Sequence, residues 1–205
     1  MKFTSSTLLA ACLASMPGAV GFAKDSLPFT VLSTSIDAPV KHRAVRDFSL
    51  VERSGKKITL PDLRGKVWIA DFIYTNCTDT CPLQTADMAK LQDFWMKQRA
   101  VQLVSFSVDP ERDTPAVLSR YANRFKADPK RWLFLTGDQR DIAHLVEDGF
   151  HLAVASAPHG HHGIILHSPR LVLIDRGGEI RGYYDNRDPK AMQQLKTDVA
   201  NLLQR

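Results

Sequence analysis

The stretch Val67-Trp68-Ile69-Ala70-Asp71-Phe72-Ile73-Tyr74-Thr75-Asn76-Cys77-Thr78-Asp79-Thr80-Cys81-Pro82 decides how this chain is read. Its first eight residues are apolar almost throughout, the pattern of a parallel strand buried on both faces. Pro82 suits the first turn of a helix, where a missing N–H costs nothing, so both cysteines fall where a buried strand gives way to a helix. The N–H groups of a helix start are unsatisfied and carry partial positive charge, so a thiolate there is expected to have a lowered pKa.

Outward from this junction the chain alternates between strand and helix patterns. Upstream, Glu52-Arg53-Ser54-Gly55-Lys56 reads as the turn of a hairpin. Downstream, the helix opened by Pro82 is expected to turn Leu83, Ala86, Leu91, Phe94 and Trp95 toward the core. Residues 101–108 form a second strand, and Thr114-Pro115 cap a helix carrying Val117, Leu118, Tyr121 and Phe125. Residues 131–135 make a third strand, and Asp138 opens a helix with Ile142, Leu145, Val146 and Phe150 on one side. After a loop at 156–163, residues 170–175 and 179–184 flank Arg176-Gly177-Gly178 as a hairpin, and Asp188-Pro189 start a last helix burying Met192, Leu195, Val199 and Leu202. The sum is an α/β sandwich whose mixed sheet joins parallel strands to a late antiparallel hairpin.

With 205 residues and 44% hydrophobic content, the chain fits one domain with a real core, which excludes a disordered or collagen-like protein. Three cysteines are too few for a disulfide-stapled scaffold. Net charge is +5, with Lys and Arg spread along the chain rather than clustered, so no nucleic-acid partner is expected. Residues 1–23 read as a signal peptide: Lys2, an apolar stretch from Leu8 to Phe22 broken at Pro17-Gly18, and Gly21-Phe22-Ala23 before polar residues, with cleavage after Ala23. A second reading takes Leu9-Ala10-Ala11-Cys12 as a lipoprotein box with Cys12 lipidated, and a third an uncleaved anchor. Each of these places the mature protein in an exported compartment, the bacterial periplasm or the outer face of the inner membrane, where neighbouring cysteines are open to oxidation. Residues 24–44 are a lead-in, and 45–205 the folded domain.

Three residues separate Cys77 from Cys81, one more than in thioredoxin-type motifs. On a helical turn, positions four apart hold their Cβ atoms about 5–6 Å apart, which leaves both a disulfide and a shared metal open. A metal needs a further donor. Among seven histidines, His42 lies in the lead-in, while His144 and His151 read as helix-surface or helix-end residues. His167 stands just before Ser168-Pro169 and the strand at 170–175, at the loop end of an α/β sheet where polar ligands converge. Cys77, Cys81 and His167 make a soft donor set that selects copper over calcium or magnesium and leaves zinc as rival. A fourth ligand for Cu(II) would come from water, a backbone carbonyl or Asp79. The His159-Gly160-His161-His162 tract is either an additional metal-gathering loop or a solvated one. Asp109, Asp113, Arg181, Tyr183 and Tyr184 are candidates for a partner-facing surface or for the core.

Taken together, several of these stretches resemble the Sco (SenC) family of thioredoxin-like copper proteins: 65–77, Cys81-Pro82, 105–110 with Asp113-Thr114-Pro115, and His167-Ser168 leading to Leu173-Ile174-Asp175. The resemblance spans about residues 45–203. It implies a thioredoxin-like three-layer sandwich with a mixed central sheet and an extra N-terminal hairpin. It also implies Cys77 and Cys81 as thiolate ligands and redox-active pair, and His167 as imidazole ligand of Cu(I) or Cu(II). The implied function is a metallochaperone that delivers copper to, or adjusts the thiol redox state of, the dicysteine copper centre of cytochrome c oxidase. The implied partners are that copper-bearing subunit and other periplasmic copper chaperones or thiol reductants, with the protein held near the membrane. The principal alternative is a metal-independent exported thiol-disulfide oxidoreductase, for which His167 would be dispensable. A thioredoxin-type peroxidase would draw on Thr78 and Arg64, which no spacing ties to one site, and a purely structural disulfide would close too small a ring to stabilise much.

Overall fold

The structure is a computed structural model that describes residues 43–77, 80–153, 155–156, 164–165 and 169–205. In chain order its elements are β1 (Arg43–Ala44), β2 (Ser49–Glu52), β3 (Lys57–Thr59), α1 (Leu60–Leu63), β4 (Val67–Ile73), α2 (Thr80–Phe94), β5 (Val101–Ser107) and α3 (Pro115–Arg124). There follow β6 (Trp132–Thr136), α4 (Gln139–His144) continued by a π-helical turn at Leu145–Gly149, β7 (Ala155–Ser156), β8 (Ile164–Ile165), β9 (Arg170–Ile174), β10 (Glu179–Asp185) and α5 (Pro189–Leu203). Eight strands form one sheet in the order β1-β10-β9-β4-β5-β6-β2-β3. The pairs β4/β5 and β5/β6 are parallel, and β9 lies antiparallel on the other side of β4.

All seven residues of β4 are buried because both faces of this central strand are covered. Alternation along the strand sends Trp68, Ala70 and Phe72 to one face, where they meet Phe106, Val146, Phe150 and Val172. Val67, Ile69 and Ile73 point to the other, against Met88 and Leu91 of α2, Leu118 and Tyr121 of α3, and Leu195 and Val199 of α5. This is the thioredoxin-like three-layer sandwich, with β2 and β3 as the added N-terminal hairpin packed on β6. Gly178, at φ +88, turns β9 into β10 through a conformation other residues rarely adopt.

Two details depart from the sequence reading. Leu83 and Phe94 of α2 do not face the core: they are 67% and 57% exposed. The buried stripe is Cys81, Gln84, Thr85, Met88, Leu91 and Trp95, and at 100° per residue the inward placement of Cys81 carries Leu83 to the opposite side. Two polar residues occupy inner positions that an apolar count assigns elsewhere. Second, the helix opened by Asp138 does not stay α-helical. It widens at Leu145–Gly149, and Ile142, Leu145, Val146 and Phe150 are all buried there. A side chain on Gly149 would meet Leu145 Cδ1 at 2.8 Å. In α5, Leu195 and Val199 are buried as expected, while Met192 and Leu202 are only partly so. Among the described residues, no helix is long and apolar enough to cross a membrane.

Candidate metal centre

β4 ends at Ile73, and its neighbour β5 is locked to it there by the Val108 N–H donating to the Ile73 carbonyl at 2.8 Å. The chain then turns through Tyr74, Thr75 and Asn76, and the Cys77 N–H donates back to the Tyr74 carbonyl at 3.2 Å. Four residues later the Cys81 N–H, in the first turn of α2, points at Cys77 Sγ at 3.4 Å. The first sulfur therefore sits over the helix N-terminus, where backbone dipoles favour negative charge. Both cysteines are buried, at 8% and 7% exposure, and neither is in a disulfide. The strand-to-helix junction read from the sequence thus brings Cys77 and Cys81 together. Among the described residues no group of three or more His, Cys, Asp or Glu side chains is gathered to hold a metal.

The expectation of a lowered thiol pKa does not hold for Cys81. Burial pushes that thiol up to about 12, with the neighbouring Cys77 and the Asp71 carboxyl adding to the rise and hydrogen bonding from the Tyr74 backbone opposing it. Loss of solvation around this buried sulfur outweighs the pull of the helix terminus. Below it, the Thr85 hydroxyl donates to the Cys81 carbonyl at 2.8 Å and shares a 2.9 Å hydrogen bond with Tyr121 of α3.

A network that sequence reasoning did not assemble holds the loop before Cys77. Asp113, fully buried, accepts from the Thr75 N–H at 3.0 Å, the Thr75 hydroxyl at 2.5 Å and the Ser107 hydroxyl at 2.7 Å. Burial raises its pKa, and these three donors work against the rise. Asp109 is also interior, at 7% exposure, and takes a 3.0 Å hydrogen bond from Arg112. Neither aspartate offers a partner-facing surface. Tyr184 is buried and donates to Asp198 at 2.8 Å, Tyr183 donates to the Phe150 carbonyl at 3.0 Å, and Arg181 pairs with Asp175 at 2.7 Å. Asp109, Asp113 and Tyr184 are thus interior, while Arg181 and Tyr183 are half-buried, and the Asp113-Thr114-Pro115 signature was the clue to the network.

His167 lies outside the described residues, as do Cys12, His42, Thr78, Asp79, His159, His161 and His162. On the C-terminal side of His167 the first described residue is Pro169, followed by β9 from Arg170. β9 pairs antiparallel with β4 through Trp68–Ile174, Ile69–Leu173 and Ala70–Val172. Its beginning therefore lies at the end of the sheet from which β4 runs on to Cys77. Arg170 is three positions on from His167, a span of at most about 10 Å at full extension.

Comparison with known proteins bears on this geometry. The SCO1/SenC family model matches residues 37–204. Among solved structures, a SCO1/SenC family lipoprotein from Bacillus anthracis is similar at 34% identity and TM-score 0.71, covering 80% of this chain and 98% of that one. BsSco, a member of the Sco family of cytochrome c oxidase assembly proteins in which a disulfide switch has been identified, shows 33% identity and TM-score 0.67 over 78% of this chain and 93% of its own. ScoI of Bradyrhizobium japonicum with copper bound shows 30% identity and TM-score 0.62 over 75% of this chain and 98% of its own.

Proposed function

The chain belongs to the SCO1/SenC family, and on that premise we propose that it is a copper metallochaperone of cytochrome c oxidase assembly, holding copper through Cys77, Cys81 and His167. The observation that carries this reading is the pair of buried cysteines outside any disulfide, one capping the helix that bears the other. Two soft sulfurs four residues apart fit copper by the chemistry of the donor set, and a copper-bound relative supports the same metal. The entry of β9 beside the exit of β4 supports His167 as third donor.

In this reading the protein's own groups do three things. Asp113 fixes the loop before Cys77 through Thr75. The first turn of α2 sets Cys77 Sγ against the Cys81 N–H and so favours the thiolate form once a cation is present. Burial keeps the Cys81 thiol protonated in the absence of metal, so copper uptake expels a proton. Release to the dicysteine centre of an oxidase subunit proceeds by exchanging one sulfur ligand at a time, without a free ion. The N-terminal segment and the lipoprotein relative support an exported protein at the outer face of the inner membrane.

A second reading, a thiol-disulfide oxidoreductase acting on the same oxidase subunit, is favoured by the disulfide switch of BsSco and by the closeness of the two sulfurs to one helix turn. Anaerobic titration of reduced protein with Cu(I) and Cu(II), against Cys77→Ser, Cys81→Ser and His167→Ala, separates the two. The copper reading requires every variant to bind more weakly. If His167→Ala binds both ions as tightly as the parent and still exchanges disulfides, the oxidoreductase reading replaces it.

A further inference from the structure

Three large apolar side chains stand exposed among the described residues, and two of them, Phe94 and Met96, are at the end of α2, 57% and 64% accessible. Trp95 between them is buried, so the two flank an inward-turned residue at the helix end. The place is one pole of the sandwich. The Val67 N–H that opens β4 donates to the Ala100 carbonyl at 2.9 Å, and the Val101 N–H that opens β5 donates to Gln98 at 3.1 Å, so α2 ends where the parallel strands begin. β4 runs from Val67 to Ile73 before the chain reaches the cysteines, which puts them about 20 Å away at the opposite pole.

The cations beside Phe94 and Met96 are not needed by the helix ends. Free carbonyls at a helix C-terminus attract positive charge, but Arg131 already takes those of α2, its guanidinium donating to Trp95, Met96 and Gln98 at 2.7, 2.6 and 2.7 Å. Arg176 does the same for α5, donating to Leu202 at 2.7 Å and to Leu203 at 3.3 Å. Lys97 and Arg99 are exposed and, among the described residues, in no ion pair, whereas Lys90, Arg112 and Arg187 are paired with Asp87, Asp109 and Asp185. Lys196 of α5 lies 4.7 Å from the centre of the Phe94 ring, an ammonium and an aromatic face presented together. Asp93 is the one acid within residues 93–99, and nearby Asp128 accepts the Lys130 N–H at 2.9 Å.

Single exposed apolar residues are ordinary, but an aromatic and a methionine set among unpaired cations match a definite chemistry. At an anionic bilayer the apolar groups enter the headgroup and acyl boundary while lysine and arginine stems reach back to phosphate. An acidic polymer would match the cations alone, and an apolar protein patch the two side chains alone. We propose that this pole is a lipid-contacting surface: Phe94 and Met96 enter the headgroup boundary of a bilayer carrying phosphatidylglycerol, Lys97, Arg99 and Lys196 meet its phosphates, and the pole bearing Cys77 and Cys81 is thereby turned to the aqueous side. This rests on the reading of the protein as lying at the outer face of the inner membrane, and not on which metal or thiol partner the cysteines serve. An anchor within residues 1–23 would hold the chain near a membrane without fixing which pole of the domain faces it.

The test mixes the full chain with vesicles of phosphatidylcholine alone and of phosphatidylcholine with phosphatidylglycerol, each carrying a lipid-borne diazirine. After flotation, photolabelled residues are located by mass spectrometry. Labelling within residues 93–99 is expected on the anionic vesicles only, fading as salt is raised. Lys97→Gln with Arg99→Gln leaves the labelled side chains in place and is expected to lower that labelling about fivefold for each charge removed. Phe94→Ser with Met96→Ser should abolish it, and thermal unfolding of both pairs is expected to follow the parent because all four positions are exposed. Equal labelling of residues 93–99 on the two vesicle types, or labelling unchanged by the charge substitutions, refutes the lipid contact. Labelling confined to the N-terminal segment refutes the oriented pole and leaves the membrane location standing, whereas a protein that floats with neither vesicle loses both. If Phe94→Ser with Met96→Ser instead dissolves a dimer seen by sedimentation, the surface belongs to a second copy of the chain and the lipid contact is refuted.

Discussion

Thr75 gives both its backbone N–H and its hydroxyl to the fully buried carboxylate of Asp113, thirty-eight residues further on. Two residues before Cys77, the loop is thus fastened to the chain that follows β5 rather than to its own strand. Asp113→Ala strands these two donors and the Ser107 hydroxyl. Urea unfolding is expected to show a loss of about 3 kcal/mol, accompanied by weaker copper binding. A loss below about 0.5 kcal/mol, the range of an ordinary surface change, would show that Asp113 does not hold the loop.

Asp71 makes a pH-dependent contribution of opposite character. It is fully buried on β4, takes a hydrogen bond from Ser105, and among the described residues its Oδ2 has no hydrogen-bond partner. Burial raises its pKa to about 7. Between roughly pH 4 and that value the native state holds a proton that the unfolded chain has lost, so stability is highest below about pH 4 for this group and falls as pH rises through 7. The shift corresponds to an upper figure of about 4 kcal/mol. In Asp71→Asn that part of the slope is expected to vanish, and denaturant midpoints of parent and variant across pH 4–8 check it. Identical pH slopes in the two would contradict the burial of this charge.

Copper uptake should itself titrate. Because the Cys81 thiol is held near 12, it is protonated throughout pH 6–8 and must release its proton on binding. Apparent affinity is then expected to rise at least tenfold per pH unit in that range, as read by competition against a chelator of known proton dependence. A flat profile would mean that Cys81 is not a thiolate ligand.

The corrected phase of α2 is tested by paired substitutions. Leu83→Ser, at an exposed position, is expected to change stability by less than about 0.5 kcal/mol. Met88→Ala, at a fully buried one, should cost about 2–5 kcal/mol. Equal costs would restore the inward Leu83.

The legible parts of this protein were those written in short-range pattern. The apolar run of β4, the Thr114, Asp138 and Asp188 caps, and the Gly177-Gly178 turn all appear where the sequence puts them. So does the placing of Cys77 and Cys81 at the strand-to-helix junction. The inner face of α2 was misread because Gln84 and Thr85 are polar, and only the sheet beneath and Tyr121 alongside decide that they turn inward. The pKa of Cys81 was misread for a related reason: a helix start is visible in sequence, whereas the burial of the sulfur is a property of packing. The Asp113 network joins residues that only the parallel pairing of β4 with β5 brings near.

Pulsed electron paramagnetic resonance of the Cu(II)-loaded protein, with parent and His167→Ala measured side by side, tests the proposed centre most directly. The account predicts imidazole nitrogen coupling in the parent that disappears in the variant, together with a sulfur-to-copper charge-transfer band that Cys77→Ser and Cys81→Ser each weaken. Nitrogen coupling of equal strength in His167→Ala would contradict it.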